Sequence, residues 1–559
     1  MGASKYVSVP SGAHQDTPQV AEAAFVNDFD PPPLATATKV VHQSVDEPND
    51  GIITVTWEKG EVQPSAYRDK WFAIAFIAHL LVVVGFGMAF LFAPRDGIAA
   101  EDIAESDGLS VDADDDVDVG SEGSPPAQEA PPKEYWFAVV AIALISAPTL
   151  SFVALTIMSR NAILLIRASL WFSVALCGLI AVLSVAASHT PVNDDDPPRW
   201  FIGIFYGIPT VCLVWYIWAI QNRIPYAASN LKCAVTILQT NLGLGLIALG
   251  SMMVLFGYSF CWVLALFCTM QFNAMTESSS VTSEDSPDLS AVGGTVVLLF
   301  MLSFYWTHQV MKNVVKVSVS GVVGTWWFSP GEAASLCSDA VRHSLIRSTT
   351  FSFGSICFGS LIVAILHMLR NLLLSIHSNR HAGILRCITT CILSYIESLV
   401  VYFNKWAYVY VGLYGYGYVD AGKRVVDLFK TRGWQTIIAD NIVSRLLVII
   451  SLTIGLLTGV LTLFAALFVE EFEANEGMQG WLAIGFFIGI FIGLILSGVF
   501  MGLILSAVDA VIVCYAEAPN ELQEFHPAVA EEMSKTWAEA WGELRAPVIV
   551  GLGGGLGVV

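Results

Sequence analysis

Tyr305 and Trp306 stand side by side in an apolar stretch, with His308 and Gln309 within the next helical turn. Trp326 and Trp327 follow, and Tyr402, Tyr408, Tyr410, Tyr414, Tyr416 and Tyr418 crowd the chain beyond them. These residue types suit a quaternary ammonium ligand. Such a cation donates no hydrogen bonds, so its binding relies on aromatic faces, each contributing about 0.5–2 kcal/mol. Gln309 can orient a hydroxyl on the same ligand, and Glu397, in another apolar stretch, supplies a balancing charge. Trp and Tyr also gather at bilayer boundaries for their amphipathic rings alone, which suits most of the tyrosines and the Trp326–Trp327 pair. Trp306 fits that account least, because it lies toward the middle of its run with polar neighbours. The candidate substrate-binding residues are therefore Tyr305, Trp306, Gln309, Glu397, Trp326 and Trp327.

Other chemistries lack their residues. Gly417 to Lys423 nearly spells a phosphate-binding loop, but Arg424 stands where the metal-holding Ser or Thr belongs. Asp420 capping a helix is the simpler reading there. His377 and His381 are four apart, which suits one face of a metal site, yet no third ligand is spaced to join them. Neither a His-Glu-x-x-His nor a Gly-x-Ser-x-Gly motif occurs. The expectation is a protein that is not an enzyme and takes no cofactor.

The elements that position the aromatic residues follow from composition. Of 559 residues, 55% are hydrophobic and 13% charged, with a mean hydropathy of +0.64. A soluble protein carries about 25% charged residues. So little charge points to an all-α, polytopic integral membrane protein, because an open spanning segment must satisfy its backbone as a helix. A net charge of −21 excludes a nucleic-acid partner, whose phosphates require clustered cations. The bilayer itself and a small organic cation are the expected partners; oligomeric state is not legible.

Apolar runs of about 20 residues, enough to cross a bilayer core, occur at 71–92, 135–158, 168–187, 200–220, 242–267, 292–311, 350–369, 442–469 and 481–507. Arg68 and Lys70 before the first run place the N-terminus in the cytoplasm by the positive-inside rule. Alternation then puts the acidic loop 96–134, with Asp114, Asp115 and Asp116, outside. Glu470, Glu471 and Glu473 belong outside too, and Lys423, Arg424, Lys430 and Arg432 inside. Nine crossings place both groups on the wrong side, so a tenth is required between Met311 and Asp420. Residues 384–403 are the preferred candidate on length, despite Arg386 and Glu397; 313–328 is the alternative. Segment 384–403 is amphipathic, so it either spans with its polar stripe toward a wet cavity or lies along the cytoplasmic leaflet. Ten crossings put both termini in the cytoplasm. The expected organisation is a disordered cytoplasmic tail over 1–65, a transmembrane domain over 66–515 with a cytoplasmic segment near 404–441, and a cytoplasmic tail over 516–559. Small residues four apart at Gly485, Gly489 and Gly493 predict close helix packing.

Several blocks together resemble the choline transporter-like family. They are RIPYAASNLK at Arg223–Lys232, Trp306 followed by VSGVVGTWWF at Val319–Phe328, FGSICFGSL at Phe353–Leu361 with Arg370 ending that helix, and FNKWAY at Phe403–Tyr408. Their order and spacing cover 200–519. The resemblance implies ten spans and ATP-independent transport of choline or a related amino alcohol, in the plasma membrane or an organelle membrane; the plasma membrane is the expectation adopted. Only Trp306 and the block from Gly321 to Phe328 sit on the family's shared pattern. A membrane scaffold or receptor without transport activity is the alternative function.

Overall fold

A computed structural model describes residues 66–92, 133–187, 200–279, 289–329, 338–375, 383–432, 436–464 and 479–541. These lie within one unit, Trp57–Val559. The expected N-terminal tail and the acidic clusters at 114–116, 194–196 and 470–473 fall outside the described residues.

The described residues build helices α1 (Lys70–Phe92), α2 (Lys133–Ala187), α3 (Trp200–Ile220), α4 (Ile224–Thr240), α5 (Gly243–Ser279), α6 (Leu289–Phe328) and α7 (Asp339–Thr349). They continue with α8 (Phe353–Ser375), α9 (Gly383–Tyr414), α10 (Tyr418–Arg432), α11 (Thr436–Leu463), α12 (Gln479–Glu517), α13 (Pro519–Phe525) and α14 (Pro527–Trp541). The chain is thus an all-α, polytopic membrane protein: seven helical stretches among the described residues are long and apolar enough to cross a bilayer. At about 1.5 Å per residue, the 55 residues of α2 would run far beyond one ~30 Å hydrocarbon core. The helical geometry breaks at Asn161 (φ −129°, ψ 37°), between the two apolar runs read from the sequence and beside Arg160.

Segment 313–328 is not a separate element. It continues the run 292–311 without interruption in the single 40-residue α6. Residues 384–403 fall within the independent helix α9, long enough to cross. Its first half is polar inward and apolar outward: Glu397 is 6% exposed, while Tyr395 is 65% exposed and Ile388, Ile392 and Leu399 face out. That arrangement suits an apolar surroundings and not an aqueous one.

α6 is the hub. It packs against α5, α7, α8, α9 and α12, and its buried residues Trp306, Val310, Asn313, Val317, Ser320, Val323 and Trp327 recur at three- and four-residue steps. A second group forms from α2, α3, α4, α11 and α12, with α11 and α12 in extended contact. Here the expected small-residue seam is used: a Cβ on Gly493 would sit 2.7 Å from the Thr458 Cβ of α11.

At the start of α1 the chain turns through Asp69, a non-glycine residue with φ 49°. Its carboxylate accepts hydrogen bonds from Ser355 Oγ (2.6 Å) in α8 and from the Tyr418 backbone N–H (3.1 Å) opening α10. One carboxylate thereby joins the N-terminal turns of three helices. Gly354 permits this approach: an added Cβ would lie 2.6 Å from the Asp69 carbonyl carbon, and backbone cannot swing aside. Gly354→Ala should therefore destabilise the protein by about 1–3 kcal/mol, seen as a lowered melting temperature in detergent, whereas Gly250→Ala, which meets no atom within 4 Å, should not.

Residues 516–541, assigned from sequence to a tail, are ordered against the bundle. α12 continues to Glu517, and α13 and α14 fold back, with Trp537 of α14 edge-on to Tyr226 of α4 at 5.1 Å. Residues beyond Trp541 lie outside the described set.

Candidate functional site

Successive residues on a helix point about 100° apart, so Tyr305 and Trp306 address different neighbours. Trp306, 7% exposed, turns inward. Its indole N–H donates to the Cys357 carbonyl of α8 (3.0 Å). Its face is covered by His79 of α1, stacked at 4.7 Å and 18°, and its flank by Phe76 at 5.2 Å, edge-on. His79 Nε2 lies 3.3 Å from Thr307 Oγ1. The ring expected to meet a cation therefore already stacks on an imidazole.

Tyr305 faces α8. Its ring stacks with His367 at 5.6 Å and 20°, and its hydroxyl oxygen accepts from Asn371 Nδ2 (2.7 Å). His367 Nδ1 lies 2.9 Å from Glu397 Oε1, and Arg370 reaches Glu397 Oε2 at 3.4 Å. Tyr305 and Glu397 are thus brought together through His367, and α6, α8 and α9 frame a buried carboxylate beside an aromatic face. Gln309 is half-buried one turn further along α6.

Trp326 and Trp327 lie elsewhere. Twenty residues of helix separate Trp326 from Trp306, about 30 Å. Trp326 stacks on His526 at 3.7 Å and 7°, and the Trp327 indole donates to the Ala518 carbonyl at 2.9 Å. Both dock the C-terminal helices.

Moving along α6 from Tyr305, the helix seam carries a neutral polar band. Asn313 Nδ2 donates to Ser360 Oγ (2.9 Å), Tyr408 hydroxyl donates to the Ile356 carbonyl (3.2 Å), and Asn404 Nδ2 donates to the Gly359 carbonyl (3.1 Å). Tyr418 hydroxyl donates to Asn404 Oδ1. Beyond this band sits a second carboxylate. Asp509 of α12 is fully buried and pairs with Lys316 of α6 and Lys405 of α9, each at 2.8 Å. Glu517, at the end of α12, accepts from the hydroxyls of Tyr410 (2.6 Å) and Tyr414 (2.5 Å).

The Asp509 cluster, His79, His367 and Arg370 were missed as site residues by reading the sequence. For Asp509 a signal was present: it is the one charged residue between Gly480 and Ala516, and a charge inside such a run marks function by default. The partners of His79 and His367 come from helices more than 200 and 25 residues away respectively, and no spacing announces them.

Comparison with known proteins agrees with this architecture. A family model described as plasma-membrane choline transporter matches residues 204–520, which takes in every block quoted above. The protein PNS1 of Mycosarcoma maydis is 30% identical over 346 residues, covering 60% of this chain and 63% of that protein. A CTL-like protein of Dictyostelium discoideum is 27% identical over 340 residues, covering 60% of this chain and 57% of that protein. PNS1 of Saccharomyces cerevisiae is 25% identical over 380 residues, 66% of this chain and 69% of that protein. The chain spans less than two thirds of the length of the first two of these relatives. With the family match extending over more than half of its length, this chain belongs to the choline transporter-like family of membrane proteins.

Proposed function

We propose that this protein carries choline or a related small organic cation across a membrane, as a facilitator or secondary transporter. The observation that carries this reading is Glu397, a carboxylate buried among α6, α8 and α9 beside the Tyr305 and His367 rings. Such a charge is expensive in a membrane domain and is kept where it meets a charged ligand or pathway. Arg370 and His367 hold it in this conformation; an incoming cation takes their place at the carboxylate, with Tyr305 as a wall. Trp306 joins the site when α1 moves His79 off its face, and Gln309 meets the substrate hydroxyl. No step makes or breaks a covalent bond, so the protein acts without catalysis.

The same reading sets the topology at ten crossings with both termini in the cytoplasm, α9 supplying the tenth, in a plasma membrane. Family membership and the relatives' names support transport; choline itself comes from the family description and from the aromatic–carboxylate chemistry. The test is binding and uptake of labelled choline by purified protein in liposomes. Trp306→Ala removes one cation–π face and is expected to weaken choline binding about tenfold. Unchanged binding and uptake in that variant would remove Trp306 from the site. Absence of flux for a panel of labelled amino alcohols would favour a scaffold or receptor instead.

A further inference from the structure

Two buried carboxylates line the α6–α9 seam. Eight residues of α9 separate Glu397 from Lys405, the partner of Asp509, so the second charged cluster lies about 12 Å further along that helix. Neutral donors and acceptors, among them Asn313, Ser360 and Asn404, lie in the interval. The two clusters share a plan: each places one carboxylate against two basic side chains of the protein itself.

The Asp509 cluster carries more positive charge than structure requires. One aspartate with one lysine is already balanced, and each further buried charge adds a desolvation cost of several kcal/mol. Lys316 meets Asp509 Oδ2, and Lys405 meets Oδ1. The Lys405 ammonium also lies 5.2 Å from the centroid of the Trp406 ring, within cation–π range. Its Nζ therefore occupies a position with a carboxylate on one side and an indole on another. Those are the two features that a small organic cation needs.

We infer that Asp509 and Trp406 form a second cation station, inward of Glu397 along the helix seam, held in this conformation by the tethered ammonium of Lys405. Lys405 is a competitor that the substrate displaces. Its four-carbon stem is flexible, and its side chain keeps 15% exposure, so it can swing away without unfolding α9. Lys316 stays on Oδ2, and the charge at the station is the same whether an ammonium of the protein or of the substrate occupies it. The inference rests on the transport reading above and deepens it: the substrate cation moves between two carboxylates, exchanging with protein cations at each.

The test uses the full-length chain in lipid nanodiscs, with labelled choline as probe and equilibrium binding as readout. Wild type should bind one equivalent, lost in Glu397→Gln. Lys405→Met leaves the balanced Asp509–Lys316 pair and should expose the station, giving a second equivalent. A site freed from a ligand that filled it nine-tenths of the time binds about tenfold more tightly. Lys405→Gln, uncharged but still able to hydrogen-bond Asp509, should behave similarly. The combination Glu397→Gln with Lys405→Met should retain one equivalent. If both uncharged Lys405 variants match wild type in number and affinity while wild type binds choline, the second station is refuted and the transport reading stands. If wild type and every variant bind no choline, both fall.

Discussion

Asp509→Ala is expected to cost about 3–5 kcal/mol of stability, because it leaves two ammonium groups against a fully buried site with no carboxylate between them. The protein should express poorly and elute as aggregate in detergent size-exclusion chromatography. Charge, not lost volume, is the cause assigned here, and the two are separable. Adding Lys316→Met and Lys405→Met to Asp509→Ala should restore a monodisperse, thermally stable protein. If the triple variant melts as low as the single one, the cavity and not the charge explains the loss. The cluster joins α6, α9 and α12, so its loss should also loosen the contact of α12 with α6 and α9.

Glu397→Gln should have the largest effect on transport with little effect on folding. Glutamine keeps the volume, its amide oxygen can accept from Arg370 and its amide nitrogen can donate to the neutral His367 Nδ1; Arg370 and His367 sit partly exposed at 41% and 29%. What disappears is the charge that faces the substrate. Removing one partner of a buried charge pair costs about 2–5 kcal/mol, so choline uptake should fall by about 30-fold or more while the melting temperature moves little. Equal uptake by Glu397→Gln and wild type would show that the carboxylate merely anchors Arg370.

Much of this architecture is legible in the residues, and the exceptions have physical causes. The apolar runs at 71–92, 242–267 and 442–469 read as helices; α1 and α5 occupy the first two and α11 the third as far as Leu463. The continuity of α6 was harder to see. Lys312 and Lys316 interrupt its hydropathy, and only the distant Asp509 makes a lysine affordable there. Phe353–Ser375 and Gly383–Tyr414 likewise carry charges that tertiary partners neutralise: Arg370 and Glu397 answer one another. Periodicity alone left 384–403 divided between spanning and lying flat. The observed burial of Glu397 beneath outward-facing Ile388, Ile392 and Leu399 is what supports the spanning reading.

The aromatic residues divide in the same way. Tyr305 and Glu397 were chosen for their chemistry and are linked in space by His367. Trp326 and Trp327 were chosen for the same chemistry, but their rings dock α13 and α14. Residue type was equal in the two cases. The difference lies in position along α6: Tyr305 sits in its middle, facing α8, whereas Trp326 and Trp327 sit at its C-terminal end. The C-terminal helices were unread because their apolar residues, such as Met533 and Trp537, are few and are buried by partners distant in sequence, among them Tyr226 of α4 and Tyr515 of α12.

Counterflow reports whether this bundle moves a small organic cation past a buried carboxylate. Liposomes containing purified protein and loaded with unlabelled choline are diluted into trace labelled choline without ATP. Wild-type protein should give saturable accumulation of label, and Glu397→Gln should lower its rate about 30-fold or more. Accumulation no greater than in protein-free liposomes, with wild-type protein folded and inserted, would contradict transport of the cation.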